Sequence, residues 1–234
     1  MSDKTENGKN KRAVVLLSGG LDSTTALYWT QAQGYHPYCL IFDYGQRHRR
    51  EIESAEKIAK SKNLSYFIIH CELPWGGSAL LDRRTELPKG RSYQEMTSEI
   101  PATYVPARNT LFLSFALSWA ETIKAEAIVI GANQLDWSGY PDCREDFFQA
   151  FEKVIQQGTK MGVEGNPIQI MAPLLKKTKM EIVQLGSRLG VPFEWTWSCY
   201  EGGEVPCGEC DSCSLRKKGF DQAGIRDLSY AASH

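Results

Sequence analysis

Ala13-Val14-Val15-Leu16-Leu17 runs directly into Ser18-Gly19-Gly20-Leu21-Asp22-Ser23-Thr24-Thr25, and then into the helix-compatible stretch ALYWTQAQ (26–33). Five apolar residues without alternation read as a strand buried on both faces. A strand that turns at once into a helix aims several backbone N–H groups at one point, where the helix dipole adds partial positive charge. The paired glycines let the chain curl tightly and let an oxygen-rich ligand approach the backbone. Ser18, Ser23, Thr24 and Thr25 add hydroxyls, and Asp22 can hold a magnesium ion or cap the helix. The turn suits phosphates. It is neither a Walker A loop, since no GK[ST] follows, nor a GxGxxG turn.

Working outward, four further apolar runs follow: PYCLIF (37–42), SYFIIH (65–70), EAIVIG (126–131) and IQIM (168–171). Helical stripes lie between them, at Ile52, Ala55, Ile58 and Ala59 in 47–62, at Phe147, Phe148, Phe151, Val154 and Ile155 in 144–158, and at Ile182, Leu185 and Leu189 in 178–189. Such alternation implies parallel pairing with right-handed crossovers. The expected fold class is α/β, a doubly wound and mostly parallel five-stranded sheet. Ligands of such sheets bind outside the carboxyl ends of the strands, where the strand order reverses. Residues 72–103 break the rhythm with a long connection, the length of a lid, a binding loop or an insertion.

Composition narrows the class. The 234 residues are 42% hydrophobic and 24% charged, with net charge −1, which excludes a largely disordered chain and argues against a general polyanion coat and any stable nucleic-acid partner. No run reaches the ~18 apolar residues of a membrane-spanning helix. Residues 1–12 read as a solvated tail without an apolar signal core, so a cytoplasmic, reducing setting is expected. Residues 13–197 would form the α/β domain and 198–234 a small appended module.

That module carries Cys199, Cys207, Cys210 and Cys213, four of the seven cysteines within fifteen residues. In a reducing compartment the spacing C-x7-C-x2-C-x2-C reads as a metal site rather than disulfides. Four thiolates at ~2.3 Å make a closed, structural zinc site; a C-x2-C-x2-C run also occurs in iron–sulfur proteins. Cys39 and Cys71 read as packing residues.

Each later strand is also followed by polar residues. Asp43-Tyr44-Gly45-Gln46-Arg47-His48-Arg49-Arg50 puts basic residues at a helix start, which an anion or merely solvent would relieve. In Tyr104-Val105-Pro106-Ala107-Arg108-Asn109-Thr110, Pro106 and Asn109 can set a helix start while the Arg108 fork suits carboxylate or phosphate. Between Asn133 and Arg144 lie two carboxylates and an aromatic pair. Carboxylate acceptors and stacking rings complement a guanine-like edge and face, although Asp142 can also cap the next helix. Thr178 and Glu181 form a capping box, with Lys179 in its first turn as a candidate phosphate contact.

The string SGGLDST after a buried strand resembles the PP-loop, or N-type ATP pyrophosphatase, family. Together with FDYGQRH, VPARN, SGYPDCR, PLLKKTKMEIV and the cysteine tail in one order, it resembles the preQ0-forming ligases of queuosine biosynthesis, the 7-cyano-7-deazaguanine synthase family, over residues 13–220. The resemblance implies an enzyme that splits ATP between its α- and β-phosphates, adenylates 7-carboxy-7-deazaguanine on its carboxylate, admits free ammonia to give an amide, and activates the amide oxygen again to leave a nitrile. Carried onto this chain, it implies ATP contacts at Leu16, Leu17, Ser18, Gly19, Gly20, Leu21, Asp22, Ser23, Thr24, Thr25 and Ala26. It implies catalytic parts for Asp22, Ser23, Arg108 and Lys179, and substrate contacts for Asp136, Tyr140, Asp142 and Arg144. ATP, Mg2+ and one structural Zn2+ on the four cysteines are the implied cofactors, and a homodimer the implied assembly.

Two other readings stand beside it. A PP-loop tRNA thiolase or another adenylating ligase would keep the loop chemistry and need a reactive cysteine, for which Cys143 is the one at a strand edge. A zinc-ribbon nucleic-acid-binding module on a degenerate nucleotide fold would bind tRNA without turning over ATP.

Overall fold

Val14 and Leu16 point to one side of the central strand and Ala13, Val15 and Leu17 to the other, and two separate hydrophobic cores form around them. The computed structural model describes residues 11–92, 94, 95, 99–135 and 140–229. Its strands are β1 (Lys11–Leu16), β2 (Tyr35–Asp43), β3 (Tyr66–His70), β4 (Ala127–Ile130) and β5 (Gln169–Met171). Their order is β3-β2-β1-β4-β5, with every pair parallel. The chain steps outward from β1 to β3, then returns to the other side of β1 to lay down β4. The strand order therefore reverses at the carboxyl ends of β1 and β4, where Leu16 pairs with Ile130.

Helices α1 (Leu21–Ala32), α2 (Arg50–Ser61), α6 (Lys179–Leu189) and α7 (Asp211–Ala223) cover the Val15 face, through Leu27, Ile52, Ile58, Ile182 and Phe220. The Val14 face is covered by α3 (Arg108–Thr122) and α4 (Glu145–Gly158), followed by the short α5 (Lys160–Val163). Each fully buried Leu, Ile or Phe contributes roughly 1.5–3 kcal/mol. This three-layer sandwich is the doubly wound fold expected.

Three expectations need correcting. Burial on both faces holds for β4 and for the residues from Ala13 onward in β1, but not for the edge strands: Phe67 on β3 is 59% exposed, and Gln169 on β5 is exposed, because an edge strand is flanked on one side only. Lys11 and Arg12, assigned to the tail, extend β1 and pair with Tyr35 and His36; backbone pairing with β2 holds them although their side chains are exposed. The division at residue 197 does not coincide with a break in packing. Phe220 of α7 lies in the core of the α/β sandwich, edge to face with Phe193 at 5.0 Å.

The long connection is a wall rather than a loose insertion. Arg47 Nη2 donates to the carbonyls of Arg83 at 2.9 Å and Thr85 at 2.8 Å. Leu73, Ala79 and Leu87 are buried. Farther on, Lys89 bridges Cys210, Gly90 N–H donates to Glu209 O at 3.2 Å, and Arg91 forms an ion pair with the fully buried Asp211.

Candidate active site

At the β1/β4 switch a cavity of about 250 Å³ opens. The turn from β1 into α1 forms one wall. Ser18 and Ser23 hydroxyls lie 3.0 Å apart, Ser18 N–H donates to Ser23 Oγ at 3.2 Å, and Gly20 N–H to Ser18 Oγ at 3.4 Å. Gly19 has φ +82°, and a Cβ there would lie 2.3 Å from Glu51 O. Gly131 ends β4 so close to α1 that a Cβ would lie 2.8 Å from Ser23 N and Cα. Glycine at these two places lets the loop, α2 and β4 close on one point.

Leu16, Leu17, Ser18, Gly20, Leu21, Asp22 and Ser23 line the cavity. Thr24, Thr25 and Ala26 are fully buried behind them. Thr25 Oγ1 donates back to Leu21 O at 2.8 Å and so offers its proton to the helix, not to a ligand. Thr24 Oγ1 is buried without a partner among the described residues. Helix geometry explains this, since positions 24–26 of α1 turn toward the sheet and α6.

Lys179 Nζ donates to both oxygens of Asp22 at 2.8 Å. The capping box is present: Thr178 N–H donates to Glu181 Oε2 at 2.7 Å and Glu181 N–H to Thr178 Oγ1 at 3.3 Å, which starts α6 with Lys179 facing the cavity. Gly219 of α7 leaves room for the lysine stem, since a Cβ there would lie 2.4 Å from Lys179 Cγ.

The opposite wall is aromatic. Arg108 Nη1 donates to Tyr44 Oη at 3.3 Å, with its guanidinium 5.8 Å from the Tyr44 and Phe112 ring centres. The helix it opens is capped from outside. Ala107 before it is left-handed (φ 53°), and Asp142 Oδ2 accepts from Asn109 N–H at 3.0 Å. Asp142 thus caps α3 rather than the helix that follows it. Asn109 Nδ2 in turn donates to Asp142 O and approaches Cys143 Sγ at 3.3 Å. Burial pushes the Cys143 thiol up to about 12, with the Asp142 charge adding to it.

Of the four expected substrate contacts, Tyr140 lines the cavity, its hydroxyl 2.7 Å from Thr103 Oγ1 and its own ionisation pushed up to about 12 by burial. Asp142 is buried and committed to α3, and Arg144 is exposed. Asp136 lies outside the described residues. The basic run before α2 is balanced within the protein, because Arg49 pairs with Asp43 at 2.5 Å, Arg47 holds carbonyls, and Arg50 stacks on Trp197.

Several cavity residues carried no signal in the sequence reading: Glu51, Leu80, Asn133, Trp197 and Tyr200. Glu51 sits on the polar stripe of α2 and looks like any solvated glutamate. Asn133 Nδ2 holds Leu174 O at 3.2 Å, joining β4's exit to β5's.

Beside this site the four cysteine sulfurs lie within 4.8 Å of one another. A tetrahedron of Zn–S bonds at ~2.3 Å spaces sulfurs by about 3.8 Å, so the set fits such an ion. Backbone donors also point at the sulfurs, Glu201 and Cys207 N–H at Cys199 Sγ (3.4 and 3.3 Å) and Cys210 N–H at Cys207 Sγ (3.4 Å). Such amides suit thiolate acceptors.

The profile of the family described as queuosine biosynthesis protein QueC matches residues 12–224. A 7-cyano-7-deazaguanine synthase of Trichodesmium erythraeum is 54% identical over 218 residues, covering 92% of this chain and 98% of that protein. One of Acaryochloris marina is 56% identical over 227 residues, covering 94% and 99%. Among solved structures, a 4-thiouridine synthetase–RNA complex with bound ATP superposes with TM-score 0.50 at 20% identity, over 93% of this chain and 51% of that one, a likeness of fold. With this coverage and identity, the chain belongs to the QueC family of queuosine biosynthesis proteins.

Proposed function

We propose that the chain is an ATP-dependent ligase that converts 7-carboxy-7-deazaguanine and ammonia to 7-cyano-7-deazaguanine. The observation that carries the reading is the convergence of the Ser18–Ser23 turn, Lys179 and Arg108 on one cavity at the strand-order switch. A carboxylate oxygen is a poor leaving group until it is esterified to phosphate, and the cavity's donors suit a triphosphate. In this reading Ser18, Gly20 and Ser23 bind the phosphates. Asp22 would hold the Mg2+ that accompanies ATP and supplies charge neutralisation there, and Lys179 and Arg108 would face the departing pyrophosphate, an electrostatic role. Tyr140, Tyr44 and Trp197 bound the space for the planar substrate, and Asp142 supports it indirectly by fixing α3.

The cysteine set would hold one zinc ion as a structural clamp for the lobe that packs through Phe220 into the α/β sandwich. None of the seven cysteines is joined in a disulfide, which fits a cytoplasmic setting. Two copies associate through the apolar face that exposes Phe67 and Phe115 around Trp119. Among the described residues no helix is long and apolar enough to cross a membrane. The thiolase alternative is weakened by Cys143, whose buried thiol stays protonated at neutral pH.

Incubation with ATP, Mg2+, ammonium and the carboxylate substrate, followed by mass detection, should yield nitrile, AMP and pyrophosphate. Ser18→Ala with Asp22→Ala should abolish all three. Unchanged turnover in that double variant would refute the site, and Cys143→Ala should leave turnover intact.

A further inference from the structure

The proposed reaction strips one nitrogen bare. When ammonia attacks the acyl adenylate, a C–N bond forms, the C–O bond to AMP breaks with its electron pair leaving on AMP, and one N–H proton is released. After the amide oxygen is adenylated in turn, the nitrogen gives up its two remaining protons. Its electron pair completes the triple bond as the second C–O bond breaks to AMP. Three protons leave one atom, so a proton acceptor is needed beside the reacting carbon.

Among the described residues two carboxylates line the cavity, Asp22 and Glu51. Asp22 is held by Lys179 at 2.8 Å through both oxygens. The Glu51 carboxylate forms no hydrogen bond or ion pair among the described residues. It is half-buried at the start of α2, with Arg108 from α3, Tyr44 beyond β2, and Tyr200 and Cys199 from the cysteine lobe as the charged and titratable groups facing it. His48, one turn earlier, has its Nδ1 buried without a partner among the described residues, and burial lowers its pKa.

Given the reaction proposed above, we infer that Glu51 is the catalytic base that takes the N–H protons as the C–N bond forms and as the nitrile closes. Between these steps it passes each proton to solvent through the open cavity. Burial raises its carboxyl above the ordinary carboxylate value against the pull of Arg108, the direction that suits a base.

Adenylation of the carboxylate removes no N–H proton, so the two halves of the reaction separate the roles. Glu51→Gln keeps the shape and removes the base. It should lower amide and nitrile formation by about 100-fold or more, while pyrophosphate–ATP exchange driven by 7-carboxy-7-deazaguanine continues and the zinc content is unchanged. Glu51→Asp, read in parallel, should retain exchange and recover part of the nitrile rate. Nitrile formation at the wild-type rate in Glu51→Gln would overturn the assignment. So would loss of exchange in step with nitrile in both variants, since Glu51 would then serve binding or adenylation. If the wild type itself shows no exchange with this substrate, the reaction proposed above fails, a result distinct from either.

Discussion

The two walls of the cavity are built by opposite means. The Ser18–Ser23 wall is local: its hydrogen bonds join residues two to five apart, and its shape follows from a strand, two glycines and a helix start. The facing wall is assembled over long separations. Arg108 meets Tyr44 across 64 residues, Asn109 meets Asp142 across 33, and the strap from the long connection meets the cysteine lobe through Arg91 and Asp211 across 120. The local wall forms wherever its backbone forms. The assembled wall depends on several distant contacts, and stability should be lost there first.

Substitutions test that contrast, beginning with the most damaging. Cys210→Ser removes one sulfur of the set and loosens the neighbouring Asp211. Structural zinc in small domains is bound with ~10–16 kcal/mol, so the metal should be lost and the melting temperature should fall by about 10 °C or more. Retained zinc and an unchanged melt would show that the lobe stands without the ion. Arg91→Ala comes next, because it leaves the fully buried Asp211 without its cation. Breaking a buried pair from one side costs ~3–5 kcal/mol; a denaturant midpoint close to wild type would mean that the strap is not fastened there.

Asp142→Asn is milder. It exchanges a charged cap on α3 for a neutral one, at about 1 kcal/mol, and should weaken substrate binding more than ATP binding in parallel titrations. An equal loss in both would merge the two walls into one unit. The effect at Glu51 has the opposite sign. The folded carboxyl is raised from 4.5 to about 7, so the stability tied to this group is complete below about 4.5 and is lost as pH rises through 7. Glu51→Gln should therefore melt higher than wild type at pH 8 and show no gain at pH 4.5. A gain at both values would point to packing rather than charge.

The same contrast explains what could be read from the sequence. The five strands, the glycine turn after β1, the capping box at Thr178 and the cysteine set depend on residues near one another along the chain, and periodicity and spacing report them. Glu51, Tyr200 and Trp197 became cavity residues only through the packing of α2 and the cysteine lobe around the switch point. Nothing in REIES or SCYE distinguishes them from surface residues. Asp142 reads from its neighbours as a substrate contact or as a cap for the next helix, whereas the N–H that it caps, that of Asn109, lies 33 residues earlier. Thr24 and Thr25 read as donors from their place after the turn, and the winding of α1 hides them.

The central claim is that oxygen of the substrate carboxylate attacks the α-phosphorus of ATP bound at the Ser18–Ser23 turn. It is tested most directly with 7-carboxy-7-deazaguanine labelled with oxygen-18 in both carboxylate positions. The account predicts two AMP molecules per nitrile, each carrying one labelled oxygen, with pyrophosphate unlabelled. Unlabelled AMP, or ADP with labelled inorganic phosphate, would contradict it.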